Sequence, residues 1–165
     1  MSTLIVDNIK NTSDVSVMTV NSSGYANYPA KPIIAGRMGS IAAITTAQKI
    51  PFDEFYVQRG ITYDSGTRRF TVPVSGIYRI TWDVFFNSGT AASRAFVVRN
   101  ADTPTYTGTG YLGQSFSGGT TAEVNPINVV AELNANDYIV FYLHTGQIYN
   151  ATADRFNTFS IEMIA

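Results

Sequence analysis

The chain of 165 residues contains no cysteine, which excludes disulfide bonds, thiolate zinc sites and cysteine nucleophiles. His144 is the only histidine, so a histidine-dependent triad or metal site would have to use it. Charge is also scarce: charged residues make up 14% of the chain and the net charge is -1. That balance gives no electrostatic footprint for nucleic acid or an anionic membrane.

Two targeting features are missing as well. No apolar run approaches the length of a membrane span, so we expect no membrane insertion. The opening MSTLIVDNIKN has no basic region followed by an apolar core, so no secretory signal is visible.

The residues that are abundant favour β-structure. The chain has 10 Tyr, 10 Phe and 13 Gly, and 45% of its residues are apolar. Aromatic and β-branched residues are typical of strands. Low charge combined with this apolar content indicates that other chains cover part of the surface.

Short β-prone runs recur along the chain with turn-forming clusters such as DSGT, NAND and SGG between them. No convincing helix is found, because Pro51 and the threonines limit the stretch SIAAITTAQKIPFDEF to about one turn. This spacing predicts an all-β fold, a jelly-roll β-sandwich. The predicted strands of its head are Ile33–Met38, Glu54–Gln58, Thr71–Pro73, Gly76–Phe86, Ser93–Arg99, Gln114–Phe116, Asn125–Glu132, Tyr138–His144 and Thr158–Ile164.

Residues 1–30 form a separate N-terminal β extension, and residues 31–165 form the head domain. The extension has two β-prone pieces, Leu4–Ile9 and Val15–Val20, and Pro29 and Pro32 mark its end. Neither piece can form a stable sheet alone, so we expect the extension to anchor or trimerise the protein by pairing with sister chains or another protein. The anchor side chains would be Leu4, Val6, Ile9, Val15, Val17 and Val20.

Two predicted strands are apolar on both faces. In Gly76–Phe86, one face is apolar throughout and the other still carries Ile77 and Phe85. In Tyr138–His144 neither face is strongly polar. An antiparallel sheet normally keeps one solvated face, so we expect a neighbouring subunit to cover the second one.

The segment FYVQRGITYDSGTRRFTVPVSGIYRITWDVFF resembles the middle of the complement component one-q-like globular head, a branch of the tumour-necrosis-factor-like jelly rolls. The matching positions are Arg59, Gly60, Tyr63, Asp64, Phe70, Thr71, Pro73, Gly76 and Tyr78. Leu133 and Asp137 also fit, with Asn136 where the family has glycine. Thr158 and Phe159 resemble the last strand, although Ile161 replaces an expected glycine. The resemblance covers Pro32 to Ala165.

This resemblance implies a compact homotrimer of ten-stranded jelly rolls. It places Tyr78 near the three-fold interface, and we add Tyr142 and Phe159 as further interface residues. Some members of this family bind calcium near the trimer axis, but no ligand pattern transfers to this chain. The acidic pair Asp53–Glu54 supplies too few oxygens for calcium, so we expect no metal and no cofactor.

The opening STLIVDNIKNTSDVSVMTVNSSG resembles the openings of bacteriophage virion fibres and related structural proteins, especially those of marine phages. The resemblance implies a virion location and contacts between the extension and other virion proteins. The chain also lacks the collagen-like stalk of the secreted animal branch.

One glycine-rich polar stretch, RNADTPTYTGTGYLGQSFSGGTT, carries Tyr106, Tyr111 and Phe116. Aromatics beside small polar residues suit recognition of carbohydrate or protein surfaces. An ordinary connection whose aromatics pack inward is the alternative. No nucleophile elbow accompanies His144, and no phosphate loop occurs in the sequence. We therefore expect a protein that is not an enzyme.

These observations lead to three hypotheses. The first is a trimeric phage fibre or appendage whose head binds a host surface polysaccharide or protein. The second is a capsid-decorating or connector-attached virion protein without a receptor role. The third, from another class, is a bacterial carbohydrate-binding module.

Overall fold

The computed structural model describes residues 8–10, 13, 16–28, 31–39, 43–87, 92–104, 110–119, 121–149 and 157–165. Every regular element within these ranges is a β-strand. The described residues include no helix that is long and apolar enough to cross a membrane. The prediction of an all-β fold is confirmed.

Within the described residues, fourteen strands form three sheets. In chain order they are β1 (Asn8–Lys10), β2 (Ser16–Val20), β3 (Ala26–Asn27), β4 (Ile33–Arg37), β5 (Gln48–Lys49), β6 (Glu54–Arg59), β7 (Thr62–Asp64), β8 (Arg69–Thr71), β9 (Gly76–Phe86), β10 (Ser93–Arg99), β11 (Tyr111–Ser117), β12 (Glu123–Leu133), β13 (Tyr138–Thr145) and β14 (Thr158–Met163).

Two of the sheets make the jelly-roll sandwich. One has five strands in the order β12–β9–β14–β4–β6. The other has six: β11–β10–β13–β8–β7 form a path, and β5 also pairs with β13. All pairings are antiparallel. The third sheet, β1–β2–β3, belongs to the N-terminal extension, and we call it the meander.

The core lies between the two large sheets and is rich in aromatic rings. Trp82 from β9 packs edge-on against Phe141 from β13, with ring centroids 5.3 Å apart. Phe52 and Phe70 pack against the same Phe141 ring at 5.3 and 5.5 Å. Edge-to-face pairs of this kind add stability beyond the area they bury. These contacts fix the separation of the two sheets and therefore the position of their outer faces.

One side of the sandwich is closed by side chains instead of a backbone ladder. The Ser115 hydroxyl of β11 donates to the Asn125 carbonyl of β12 at 2.9 Å. The Asn125 amide donates back to the Phe116 carbonyl at 3.0 Å. Among the described strands β12 pairs with β9 alone. It is therefore an edge strand of the described sheet, and Pro126 is tolerated in it for that reason.

Several predicted strand bounds need correction. The strand predicted at Thr71–Pro73 is β8, Arg69–Thr71, because the turn ends at Arg68, which has a positive φ of 57°, and Phe70 then pairs with Ile139. The short strands β3, β5 and β7 were not predicted, since two or three residues give no readable alternation.

Candidate binding surfaces

The outer face of the five-stranded sheet carries short polar side chains at its centre. We call it the open face. Thr81 and Ser160 lie side by side with their hydroxyl oxygens 2.7 Å apart, and the Thr158 hydroxyl donates to the Asp83 carboxylate at 2.8 Å. Because the side chains at these positions are short, another protein surface can approach the backbone of the sheet there. The outward positions of this face are Ile33, Ala35, Arg37, Val57, Arg59, Ile77, Arg79, Thr81, Asp83, Phe85, Val124, Pro126, Asn128, Val130, Glu132, Thr158, Ser160 and Glu162.

Two arginines of the open face are paired with carboxylates of the same chain. The Arg79 guanidinium lies 3.3 Å from the Glu162 carboxylate. Arg37 forms a fork with Glu54, with its Nε 2.9 Å from one carboxylate oxygen. Bidentate pairs of this geometry are the strong ones among ion pairs. A partner surface that covered them would not have to supply counter-charges.

Apolar side chains border the polar centre of the open face. Val130 of β12 is 59% exposed, and Ile77, Val57 and Val124 are also exposed. In a strand, side chains that alternate with buried ones stand outward by necessity, so single exposed apolar groups need no explanation. Here they gather on one sheet face, which is typical of an interface.

The predicted interface residues Tyr78 and Phe159 do not lie on this face. Tyr78 is completely buried inside the single chain, and its hydroxyl donates to the Val74 carbonyl at 2.8 Å. Phe159 packs against Phe52 in the core, with ring centroids 4.3 Å apart. The inner face of the sandwich covers both side chains within the single chain, and the assignment of Tyr78 and Phe159 to the trimer interface stays a prediction.

The third residue, Tyr142, lies on the outer face of the six-stranded sheet. We call this the aromatic face, defined by the outward side chains Arg94, Phe96, Val98, Tyr111, Gln114, Phe116, Tyr138, Val140, Tyr142 and His144. Its floor consists of Phe96, Val98 and Val140, which are buried. Tyr142, Tyr111 and Tyr138 pack over that floor. The second face of Tyr138–His144 is thus covered by side chains of the same chain, which corrects the expectation that a neighbouring subunit is needed there.

Two of the three predicted receptor residues, Tyr111 and Phe116, lie on the aromatic face. Tyr111 and Phe116 both belong to β11, so they lie on a strand instead of a loop. Tyr111 packs edge-on against Phe96 at 5.7 Å, whereas Phe116 stands out and is 51% exposed. The Arg94 guanidinium lies over the Phe116 ring, 5.4 Å from its centroid. Tyr106 lies outside the described residues.

A charged cluster borders the aromatic face. The Asp102 carboxylate accepts from the Lys49 ammonium at 2.7 Å and from Nε of Arg69 at 3.0 Å. The Arg69 guanidinium in turn lies over the Tyr138 ring at 4.2 Å. Hydrogen bonds from Arg69 and then Lys49 lower the pKa of Asp102 from 3.8 to about 2. This cluster ties the segment after β10 to β5 and β8.

The meander of the extension has one apolar face and one polar face. Ile9 is paired with Met18 and Val20 with Ala26 across the ladder, and alternation puts these four on one side. The pair Asn8 and Thr19 belongs to the other side. Ile9 is 44% exposed, so the chain does not bury this apolar face by itself.

Only some of the six predicted anchor residues are described by the structure. Leu4, Val6 and Val15 lie outside the described residues. The backbone of Val17 lies in β2. Ile9 and Val20 belong to the apolar face of the meander, so the two described anchor side chains share one surface.

The extension meets the head at a cleft of about 250 Å³, whose lining includes Tyr28, Lys31, Arg59 and Met163. The Lys31 ammonium donates to the Ile164 carbonyl at 3.0 Å, and the Arg59 guanidinium donates to the Lys31 carbonyl at 2.9 Å. These bonds hold the connecting segment against the edge of the open face.

The residues considered for chemistry have structural surroundings. His144 packs edge-on against Phe96 at 5.3 Å. Asp53 accepts a hydrogen bond from the Gly39 amide at 2.5 Å, and Glu54 is paired with Arg37. Among the described residues no three His, Asp or Glu side chains come close enough to hold a metal ion. Nothing in this arrangement gives a nucleophile with its base, and the absence of an activity stays a prediction.

One structurally important residue, Asn157, was not foreseen from the sequence. It is buried, has a positive φ of 62°, and its side chain joins β9 to the segment that follows β13. Its amide oxygen accepts from the Phe85 amide at 2.8 Å, and its amide nitrogen donates to the Tyr149 carbonyl at 2.7 Å. The only sequence signal is an asparagine just before the last strand.

Comparisons with known proteins agree with this geometry. The family model described as C1q domain matches residues 34–161. The chain is similar in structure to murine APRIL at pH 5.0, with 11% identity and a TM-score of 0.63 over 81% of this chain and 99% of that one. It is also similar to the globular domain of zebrafish complement 1qA protein, with 15% identity and a TM-score of 0.58 over 82% of this chain and 98% of that one.

A third similar structure is Eiger TNF from S. frugiperda, with 10% identity and a TM-score of 0.59 over 82% of this chain and 94% of that one. At these identities the likeness is one of fold. No curated protein sequence matches the chain.

Proposed function

The chain belongs to the C1q domain family. We propose that it is the non-enzymatic head of a homotrimer that binds a surface polysaccharide or protein and is carried, through its N-terminal extension, on a virion fibre or appendage. The observation that carries the proposal is the open face of the five-stranded sheet. Arg79 is paired with Glu162, the Thr81 and Ser160 hydroxyl groups at its centre are hydrogen-bonded to each other, and its border is apolar.

A second copy of the chain suits the open face because Arg37 and Arg79 already have carboxylate partners within the chain. Burial of apolar surface contributes about 25 cal/mol per Å², and the exposed Val130, Val124 and Ile77 supply such surface. Polar groups that already have partners lose little when water is removed. The aromatic face lies on the opposite side of the sandwich, so trimer formation through the open face leaves it accessible to a ligand.

Sedimentation velocity of the purified chain at micromolar concentration tests the trimer. We expect a single species of three times the chain mass of 18.0 kDa. A stable monomer under these conditions would contradict the homotrimer and leave the apolar border of the open face without a partner.

The meander motivates the anchoring role. It lies outside the residues that the C1q domain model matches, which begin at 34, and it presents an apolar face that the chain leaves exposed. A partner that covered this apolar face would stabilise the meander by removing the face from water. The virion part of the proposal depends on this segment and on its resemblance to phage fibre openings, since the family match and the similar structures carry no indication of a virus.

A chain that begins at residue 31 tests the anchor. The head should fold and trimerise without the meander but should fail to join particles that lack the full-length protein. Normal incorporation of the shortened chain would contradict the anchoring role. Failure to trimerise would mean that the meander belongs to the assembly core, and that the boundary at residue 30 does not separate two functions.

The aromatic face is compatible with ligand binding in a virion head, and it also favours a second candidate function, a bacterial carbohydrate-binding module. The two differ in what the meander contacts. A virion protein needs the meander for particle assembly, whereas a module would retain its full role as a soluble head attached to an enzyme. The incorporation assay therefore separates them.

A further inference from the structure

The cleft between the extension and the head contains two cations that are not neutralised by any carboxylate of the described residues. We propose that this cleft, whose lining includes Tyr28, Lys31, Arg59 and Met163, is a binding site for a phosphate group, either free or as the monoester of a small molecule. The cleft is separate from the aromatic face, so the inference goes beyond the ligand-binding role proposed for that face.

Two side chains bring positive charge to the cleft, and hydrogen bonds to the backbone hold both of them. The Lys31 ammonium donates to the Ile164 carbonyl at 3.0 Å. The Arg59 guanidinium donates through Nε to the Lys31 carbonyl at 2.9 Å. Each bond uses one donor, whereas an ammonium has three N–H donors and a guanidinium has five. The other N–H groups of both side chains have no partner among the described residues and are available to a ligand.

The charge balance of the cleft favours a doubly charged anion. Within the described part of the chain, neither Lys31 nor Arg59 forms an ion pair with a carboxylate. Glu162 also lines the cleft, but its carboxylate lies 3.3 Å from the Arg79 guanidinium, which offsets its charge. A phosphate monoester carries a charge of about −1.5 to −2 at pH 7. Such a group matches the two cations, whereas a single carboxylate would leave one of them without a counter-charge.

The donors also suit the oxygen atoms of a phosphate group. Because Nε of Arg59 is bonded to the backbone, the guanidinium presents its two terminal nitrogen atoms to a ligand. A guanidinium binds phosphate through two parallel hydrogen bonds, and a lysine ammonium adds a compact point charge. Arg59 is paired with Ile33 in the ladder between β6 and β4, so its backbone is fixed before a ligand arrives. A preorganised site of this kind loses little conformational entropy on binding.

The size and the walls of the cleft indicate what the phosphate group is attached to. The volume of about 250 Å³ is below the range of about 300 to 1,000 Å³ that is typical of sites for drug-sized ligands. Pro32, Ile33 and Met163 give the cleft apolar lining, and Tyr28, which is 52% exposed, lines it as well. A small organic body would contact these groups, so we expect a monoester to bind more tightly than inorganic phosphate.

A ligand in this cleft would link the extension to the head. Tyr28 and Ala26 belong to the extension, whereas Arg59 and Met163 belong to the head, and all four line the cleft. A ligand that contacts both parts stabilises the arrangement in which they lie together. The site therefore couples the position of the meander to the presence of a phosphorylated molecule.

Titration calorimetry of the full chain tests the proposal at about 150 mM salt, a physiological ionic strength. The phosphate probes are phenyl phosphate, glycerol 3-phosphate and inorganic phosphate, and the controls are acetate, a monoanion, and glycerol, which is neutral. We expect at least one phosphate probe to bind about tenfold or more tightly than acetate, and glycerol not to bind. Tighter binding of a monoester than of inorganic phosphate identifies a small phosphorylated molecule as the ligand. Equal or tighter binding of inorganic phosphate identifies free phosphate.

Substitutions of the two cations show whether the phosphate probe binds in the cleft. Arg59→Gln and Lys31→Gln should each weaken its binding by about tenfold or more, as the loss of charge-assisted hydrogen bonds does. Arg99→Gln is a matched control, because Arg99 also donates to a backbone carbonyl, that of Glu132 at 3.1 Å, but does not line the cleft. This control should bind phosphate as the unaltered chain does.

Three results would each overturn the assignment: no binding of any phosphate probe, binding of acetate as tight as that of phosphate, or equal losses in Arg59→Gln and Arg99→Gln. Thermal unfolding of every variant is measured in parallel, and Lys31→Gln decides the outcome if Arg59→Gln does not fold. Sedimentation separates this site from the proposed assembly. A trimeric chain that binds no phosphate refutes the site and leaves the trimer, whereas a monomeric chain that binds phosphate through Lys31 and Arg59 refutes the trimer and keeps the site.

Discussion

Replacement of Val130 by glutamate tests the role of the open face most directly. Val130 is 59% exposed in the single chain, and its side chain points away from the core of the sandwich. The substitution should therefore change the stability of the isolated head by less than about 0.5 kcal/mol, as is usual for exposed positions. Its effect on assembly should be much larger.

The magnitude follows from burial. Complete burial of a valine side chain contributes about 1.5 to 3 kcal/mol, and more than half of this side chain is still available for burial in an interface. Removing it loses about 1 kcal/mol for each subunit, and the new carboxylate adds at least about 2 kcal/mol of desolvation. Over three subunits the total is about 9 kcal/mol, which raises the concentration for half-assembly by about three orders of magnitude.

Sedimentation equilibrium over a concentration series measures this shift. Phe116→Glu is a suitable control, because it makes the same kind of change at an exposed apolar residue on the opposite face, and it should assemble normally. If Val130→Glu assembles like the unaltered chain, the open face is not the contact between subunits. If both variants lose assembly equally, the aromatic face takes part as well.

Three further predictions concern the stability of the head. Asn157→Ala removes two hydrogen bonds of a buried side chain and should lower the free energy of unfolding by about 2 to 5 kcal/mol in a urea titration. The control Asn136→Ala, at an exposed residue with a similar positive φ, should lower it by only about 1 kcal/mol. Equal losses in the two variants would contradict the role of the hydrogen bonds. The pKa of Asp102 is lowered to about 2 in the folded state, so the ionised carboxylate contributes to the free energy of unfolding above pH 4, and this contribution is lost as the pH falls from about 4 to about 2. Asp102→Asn should therefore flatten the acid limb of the curve of unfolding free energy against pH in that range. An unchanged acid limb would show that the carboxylate does not contribute. Gly36→Ala places a Cβ atom against the Glu54 carbonyl oxygen and should lower the melting temperature by several degrees, and an unaltered melting temperature would mean that β6 moves away freely.

The strands themselves could be predicted because alternation is a local property. Gly76–Phe86 has the same bounds in the sequence and in the structure, and its two sets of side chains were separated correctly. What alternation cannot give is which face turns inward when both are apolar. Tyr78 was assigned to an interface by family resemblance. In the structure its hydroxyl donates to the Val74 carbonyl, so the side chain can be buried within the chain without leaving the hydroxyl group unsatisfied.

The cover on the aromatic face could not be predicted for a different reason. Whether Val140 is covered depends on contacts with Val98 and Ala101, which lie about forty residues away in the sequence. The same limit applies to Asn157, whose partners Phe85 and Tyr149 lie on other segments. Tyr111 and Phe116 were found as candidates because their chemistry is visible in the sequence, whereas Arg94 joined them only through the pairing of β10 with β11.

Pro126 in the edge strand β12 has a consequence for how copies of this chain can grow. A neighbouring strand that tried to extend the five-stranded sheet past β12 would meet a residue that has no N–H group to donate. The side-chain bonds between Ser115 and Asn125 engage the same edge from the other sheet. Continuous sheet extension, which is the route to open-ended fibrils, is therefore blocked on this side. Association is directed to the faces of the sandwich, where rotational symmetry can close the assembly at a fixed number of subunits.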